Sequence, residues 1–270
     1  MQSASKRPRI LMCLDNRVGY ECLSHLVHGQ DRLEVCAVVV HPHQTALYLN
    51  EITATCKAAG IPMFEFTQAK AHFEEIIAPL APEYLACFYF DYVLDDRFLS
   101  LPSVDTINVH PGYLPYNKGF FYYVWSVLDG TPAGVSVHRM NALADAGDLY
   151  SQALVDVTPE DTGDTLYAKH EDAAVALFKA TLPSILDGTY RSHPQKNIGT
   201  RHKLGEMKDL LQLDPDEKIR VRDLLDRLRV CTVPGKSGCV VDLEGGTYQV
   251  ELKLKAVPKG FIPRPPGKSE

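Results

Sequence analysis

Apolar residues along the chain recur in two rhythms, one that suits strands and one that suits helices. Arg9 to Leu14 and Glu34 to Val40 are short aliphatic runs, too brief for helices, and predict strands. Tyr20 to His28 between them has helical spacing, so the chain opens as a βαβ unit. Ala46 to Ala59 predicts a second helix, stopped by Gly60-Ile61-Pro62, and Met63 to Phe66 a third short strand. A helix over Ala69 to Leu80 leads to Tyr84 to Tyr89, a continuous apolar run of the kind buried on both faces of a sheet. Asp105 to His110 predicts the next strand, Phe121 to Leu128 a helix, and Gly134 to Met140 a strand with period-two alternation. The spacing of Leu166, Ala173, Leu177, Ala180 and Ile185 predicts one long helix over Thr162 to Leu186, with Gly188 as its cap. Strands alternating with helices place the chain in the layered α/β class with a parallel sheet.

Past Gly188 the texture changes. Thr189 to Asn197 is polar and holds Pro194, which suits a linker between a main domain over residues 1–190 and a small one over 191–270. The small domain reads as α+β. It has a helix near Val221 to Arg229, then strands over Gly238 to Leu243 and Thr247 to Leu254 joined by a hairpin turn at Gly245-Gly246. Pro258 to Glu270, rich in Pro and Gly, is expected to be extended or disordered. The hairpin would leave apolar side chains such as Val240 and Val250 exposed, which favours a symmetric homodimer.

Composition narrows the partners. With 270 residues, 45% of them hydrophobic, the chain can bury a sizeable core. Its 28 basic and 34 acidic residues give a net charge of −6, which offers no electrostatic reason to bind nucleic acid or an anionic membrane. Met1 to Arg7 leads into the first strand without the apolar core of a signal peptide. No apolar run approaches the ~20 residues that span a bilayer, so a cytoplasmic protein is expected. Seven cysteines, an odd number with no Cys-x-x-Cys, sit in apolar surroundings such as Leu11 to Leu14 and Val35 to Ala37. They are read as buried thiols, with neither a disulfide framework nor a metal site expected.

The chemistry concentrates in Asn108-Val109-His110-Pro111-Gly112-Tyr113-Leu114-Pro115 and, 35 residues after His110, in Asp145-Ala146-Gly147-Asp148. Asn108 and His110 are two apart on a strand and project from one face, at the carboxyl end of the sheet where open α/β sheets bind ligands. Alone, such a pair would more often hydrogen-bond a loop. Here Pro111-Gly112 ends the strand, and Asp145 after another strand offers a carboxylate to orient or charge the imidazole. An amide, an imidazole and a carboxylate brought together fit acyl transfer.

These motifs resemble the formyltransferase family that uses 10-formyltetrahydrofolate, in which Asn-x-His-x-x-x-Leu-Pro is followed by Asp-Thr-Gly-Asp. The resemblance implies a Rossmann-like formyltransferase domain, N10-formyltetrahydrofolate as formyl donor, no metal, and a catalytic triad of Asn108, His110 and Asp145. Ala146 stands where the family has Thr. An acceptor amine would attack the formyl carbon, with Asn108 donating to the oxyanion and His110 either bonding the formyl oxygen or taking the amine proton. Folate would lie against the loop before the catalytic strand, where Phe90, Tyr92 and Leu94 are candidate contacts, and against the segment of Asp145 and Asp148.

The run His-Pro-x-x-Leu-Pro-Tyr-Asn-[basic]-Gly with a later Trp is similar to the sugar N-formyltransferase branch. That implies a nucleotide-linked amino-dideoxysugar, with dTDP as carrier and its 3- or 4-amino group as acceptor. Tyr113, Tyr116, Asn117, Lys118, Tyr122 and Trp125 are the candidate acceptor contacts, aromatic faces for a base or sugar ring and Lys118 for a phosphate. Leu224 to Pro234 and the hairpin resemble that branch's small second domain. Methionyl-tRNA formylation is opposed by the net charge of −6 and by Tyr116-Asn117-Lys118 in place of an Arg-rich loop. Formyltetrahydrofolate hydrolysis is opposed by the short segment before Arg9. Non-catalytic nucleotide binding finds no Gly-x-Gly-x-x-Gly fingerprint in Asp15 to Gly19. His138 is read as a packed or acceptor-side residue, and His41 and His43 as loop histidines.

Overall fold

Continuous aliphatic runs make the strands, and their burial on both faces makes the sheet. The computed structural model describes residues 7–29, 32–196, 199–233 and 238–261. Its elements in chain order are strand β1 (Arg9–Leu14), helix α1 (Asn16–Gly29), β2 (Glu34–Val40), α2 (Leu49–Ala59), β3 (Met63–Glu65), α3 (Phe66–Ala71), β4 (Tyr84–Phe88) and α4 (Asp96–Leu99). Then follow β5 (Asp105–His110), β6 (Lys118–Gly119), α5 (Tyr122–Leu128), β7 (Gly134–His138), β8 (Leu149–Leu154) and α6 (Gly163–Leu186). The remainder is β9 (Arg201–His202), α7 (Glu206–Leu211), β10 (Gln212–Leu213), α8 (Val221–Cys231), β11 (Cys239–Leu243) and β12 (Gly246–Val250).

The main sheet has the order β3-β2-β1-β4-β5-β7-β8. It is parallel from β3 to β5, while β7 and β8 run antiparallel. Alternation along β1 divides the core into two layers: Ile10, Met12 and Leu14 pack towards α1 and α6, Leu11 and Cys13 towards the opposite face. Phe178 of α6 meets Phe88 edge-on, with ring centroids 4.8 Å apart. Each fully buried side chain of this size contributes roughly 1.5–3 kcal/mol. Thr162 and Thr165 form a reciprocal capping box at the start of α6, and Gly188 (φ 63°) closes its end by donating to Ile185 O at 3.1 Å.

Several expectations change against the structure. The helix expected over Ala69 to Leu80 is broken into α3, a π turn over Phe73–Ile77 and a 3-10 turn over Ala78–Leu80. Pro79 has no N–H, and its ring collides with the carbonyl four residues back in a regular helix. Strand β8, at the sheet edge and only partly buried, carries too weak an alternation to be read. The stretch expected as a linker is tied down. His193 bridges to Leu149, and Arg201 and His202 pair with Lys118 and Gly119, while Asn197 lies outside the described residues. In the C-terminal part, α7 and β10 were not anticipated, and β12 ends at Val250. Its core draws on helices of the main domain, since Val124 of α5 and Leu166 of α6 pack with Leu228, Val230 and Cys239. Val240 and Val250 are half-buried, and the exposed apolar residues of the hairpin are Leu243 and Tyr248. Pro258 to Phe261 makes a turn, and the rest of the expected tail, residues 262–270, lies outside the described residues.

All seven cysteines are free and buried. Among the described residues no helix is long and apolar enough to cross a membrane, and no three His, Cys, Asp or Glu side chains are grouped to hold a metal ion.

His170 on α6 is buried and donates from Nδ1 to Leu166 O at 2.7 Å, and burial lowers its pKa from 6.5 to about 4. His138 is lowered to about 4 as well, by burial first and then by the charge of His110. Below pH 6.5 the unfolded imidazoles bind protons that the folded ones refuse until pH 4, so stability is full above 6.5 and falls as the pH drops through this window. The loss is on the order of 3 kcal/mol per imidazole. Urea unfolding across that range should show a smaller slope for His170→Gln than for the parent chain, and an unchanged slope would contradict a neutral buried His170.

Candidate functional site

The strand order reverses direction at β1, whose neighbours β2 and β4 lead to opposite edges, and open α/β sheets bind ligands at the carboxyl ends beside such a point. A cavity of about 650 Å³ lies there. The loops after β1, β4, β5 and β7 supply Asp15 and Asn16, Tyr89 to Leu94, His110 and Pro111, and Asn141 to Asp145, and α5 and α6 add Tyr122, Tyr123 and Tyr167. A second hollow of about 590 Å³ lies by α5, the end of β8 and α8. Its Arg229 is already committed to Asp226 at 2.7 Å and to the carbonyls of Thr158 and Asp161.

The antiparallel register sets Asn108 directly opposite His138 and His110 opposite Ser136. Asn108 and His138 therefore share a face, and Asn108 Nδ2 lies 3.0 Å from His138 Nε2. His138 Nδ1 lies 2.7 Å from Arg139 O, which can only accept. Nδ1 thus carries the proton, Nε2 is a bare acceptor, and the Asn108 amide must face His138 with an N–H. The depressed pKa of His138 agrees with this neutral tautomer.

His110, two residues on, projects from the same face and is buried. Its Nδ1 is 3.2 Å from Asp145 Oδ1, and its Nε2 is screened from solvent and has no hydrogen-bond partner. Gly112 makes room for that nitrogen, since a Cβ there would stand 2.7 Å from His110 Nε2. Burial by itself would raise the Asp145 carboxyl. The neighbouring His110, its hydrogen bond, and the charge of Arg201 outweigh burial and hold the group far below the ordinary carboxylate range.

Two other carboxyls behave oppositely. Burial pushes Asp15 and Asp91 up, offset at Asp15 by the Leu47 N–H and by His41. His41 lies in the loop after β2, as expected, but it is buried there: its Nδ1 is 3.4 Å from Asp15 Oδ2, and its Nε2 accepts from Asp91 N at 3.1 Å. Its ring packs against Phe90 and Tyr92 at 5.0 and 5.1 Å, beneath the loop after β4. His43 is exposed, 3.5 Å from Glu65.

Of the residues singled out in the sequence, Asn108, His110, Asp145, Phe90, Tyr92, Leu94 and Tyr122 line the cavity. Asp148 stands outside it and receives Arg139 N on its backbone oxygen at 2.8 Å. Tyr113 turns towards Gly134 of β7, and Tyr116 closes a turn onto Tyr113 O. Asn117 is buried, with its amide bonded to Thr131 and Thr200. Lys118 is also largely buried, where β6 pairs with β9; burial first and then Arg201 lower its pKa. Trp125 stacks on His202 with centroids 4.0 Å apart, away from the cavity. Residues near the Leu-Pro motif thus fasten the loop that carries them. His138, read as packed or acceptor-side, is buried and also lines the cavity, while the cavity residues that sequence did not single out, Asn16, Tyr167 and Arg201 among them, come from distant segments; Asn16 donates to Tyr167 OH at 3.0 Å across 151 positions.

Residues 23–182 match the formyl transferase family, and residues 206–256 match the N-formyltransferase dimerization C-terminal domain. A dTDP-4-amino-4,6-dideoxyglucose formyltransferase of Mycobacterium tuberculosis is 30% identical over 156 residues, 57% of this chain and 67% of that protein. The fold is similar to that of a 4-N formyltransferase from Francisella tularensis, with a TM-score of 0.78 and 22% identity over 93% of this chain and 99% of the other. It is also similar to an N-formyltransferase from Helicobacter canadensis in complex with folinic acid and dTDP-3-aminofucose, with a TM-score of 0.61 and 18% identity over 82% and 80% of the two chains. With more than half of its length matched by the family, and with this fold, the chain belongs to the formyl transferase family.

Proposed function

We propose that the protein transfers the formyl group of N10-formyltetrahydrofolate to the 4-amino group of a dTDP-linked 4-amino-dideoxysugar, with Asn108, His110 and Asp145 as its catalytic residues. One observation carries this reading: Asn108 and His110 project from one face and both line the cavity, each anchored on its far side, by His138 and by Asp145. The activity named for the Mycobacterium relative and the two ligands of the Helicobacter structure support the substrates.

Phe90, Tyr92, Leu94, Asn141 and Leu143, which all line the cavity, offer apolar and polar groups suited to a flat heterocycle with hydrogen-bonding edges. Asn16, Tyr122, Tyr123 and Tyr167 remain for the amino sugar. The bound donor supplies an activated formyl carbon. Asp145 accepts Nδ1–H of His110 and leaves Nε2 bare. As the amine adds to the formyl carbon, Nε2 takes the proton it sheds, and the ionised Asp145 offsets the charge the imidazole gains. The free N–H of Asn108 donates to the formyl oxygen, where negative charge grows. His110 then returns the proton to the nitrogen that departs when its bond to the formyl carbon breaks.

We assign residues 1–190 to the catalytic domain and 191–270 to a small domain whose first residues lie along the site. We further propose that the small domain joins two copies into a dimer, supported by the match of residues 206–256 and by exposed Leu243 and Tyr248. The cytoplasm is the compartment proposed, in keeping with seven free thiols, and cell fractionation tests it.

Incubation with formyl donor and dTDP-linked 3- or 4-amino sugars, followed by mass, should give a 4-amino product heavier by one formyl group. Absence of product from every acceptor would sink the reaction, and product from the 3-amino sugar alone would move the acceptor carbon. His110→Ala and Asp145→Asn should each lower kcat by about 10²–10⁴-fold with nucleotide affinity little changed. Sedimentation velocity should show a dimer that Leu243→Asp weakens, and a monomer at all concentrations would refute the assembly.

A further inference from the structure

The Asp145 carboxylate meets His110 because its loop holds a shape that the loop's own side chains secure only at its start, where Asn141 Oδ1 accepts from Leu143 N at 3.0 Å. Asp145 lies at φ 58°, in the left-handed region that a residue with a Cβ adopts only where its surroundings hold it. Ala146 offers a methyl group alone. Gly147 is pressed against the end of β7 so closely that a Cβ would overlap the Arg139 carbonyl oxygen. Leu143 O accepts from Ala146 N within the loop, but the carbonyls of Ala144, Asp145 and Gly147 must find donors elsewhere.

They find them in one segment far along the chain. Ala144 O accepts from Arg201 Nη2 at 2.8 Å. Asp145 O and Gly147 O accept from one nitrogen, Gln195 Nε2, at 3.0 and 2.9 Å. Both N–H bonds of that amide are spent on the carbonyls flanking Ala146, while its Oε1 is buried without a partner. The orientation is forced, since the amide turned over would set its oxygen against two carbonyl oxygens. The segment is itself anchored on both sides of Gln195. His193 and Leu149 exchange hydrogen bonds of 2.9 and 2.8 Å, and Thr200 Oγ1 accepts from Asn117 N at 2.8 Å.

We propose that Gln195, assisted by Arg201, is a positioning residue of the transfer reaction, fixing the Asp145 backbone so that the carboxylate reaches His110 Nδ1. The inference rests on Asp145 acting as the partner of His110. Gln195 does not line the cavity, so its effect passes through Asp145.

Gln195→Ala and Gln195→Glu, the latter keeping the shape but offering no N–H when ionised, should each lower kcat about tenfold or more with both KM values within about threefold. Added to Asp145→Asn, Gln195→Ala should change kcat by less than about twofold, because the two act on one element. A kcat of Gln195→Ala within about twofold of the parent, or a loss that simply multiplies that of Asp145→Asn, would overturn the proposal. Ring-nitrogen shifts of ¹⁵N-labelled His110 provide a readout without turnover. They should move in Gln195→Glu and in the near-isosteric Gln195→Met, and unchanged shifts in both would also overturn it. Failure of the parent chain to formylate any acceptor would sink the reaction alone, and the imidazole shifts would still decide the role of Gln195.

Discussion

Strand β7 runs against β5, and that reversal places His138 opposite Asn108 on the face from which His110 also projects. Everything else in the site follows from the pairing. A parallel neighbour would stagger its residues and present no cross-strand partner at that distance. With the partner in place, a chain of hydrogen bonds runs from Arg139 O through both nitrogens of His138 to the Asn108 amide. Each link fixes the next: the carbonyl decides the tautomer, and the tautomer decides which way the amide faces. Buried polar groups are costly unless satisfied, so such a chain holds its members in one arrangement and gives the site rigidity without metal or disulfide.

The carboxyls around the cavity show how neighbours assign charge. Asp145, Asp15 and Asp91 all lose water on burial, which favours the neutral acid. Of the three, only Asp145 has neighbours, His110 with its hydrogen bond first and Arg201 after it, that reverse that preference. The carboxyl held most firmly ionised is therefore the one beside His110. Asp15 and Asp91 instead brace His41 beneath the aromatic loop after β4, a supporting role that their place at the cavity wall would not reveal.

Much of this was legible in the sequence where the signal is local. Uninterrupted apolar runs marked β1, β2 and β4, and the period-two placement of Asn108 and His110 marked one face at the end of β5. Apolar spacing, closed by Gly188, marked α6. What stayed hidden depends on register and long-range contact. His138 carries no sign in its own strand of the residue it will oppose, and Gln195 looks like one polar residue in a linker until the chain returns across the Asp145 loop. Lys118 and Trp125 stand outside the cavity wall for a physical reason. Residues beside a sharp loop are as readily used to fasten it as to face a ligand, and Asn117, bonded to Thr131 and Thr200, shows the same use.

The central claim is geometric: amine and formyl group meet between His110 and Asn108. A crystal structure with an unreactive formyl-folate isomer and the dTDP-linked 4-amino sugar bound together tests it directly. The account predicts the formyl oxygen within about 3 Å of Asn108 Nδ2 and the amine nitrogen at a similar distance from His110 Nε2. An amine seated farther from His110 than one bridging water can span, with the formyl oxygen turned away from Asn108, would contradict it.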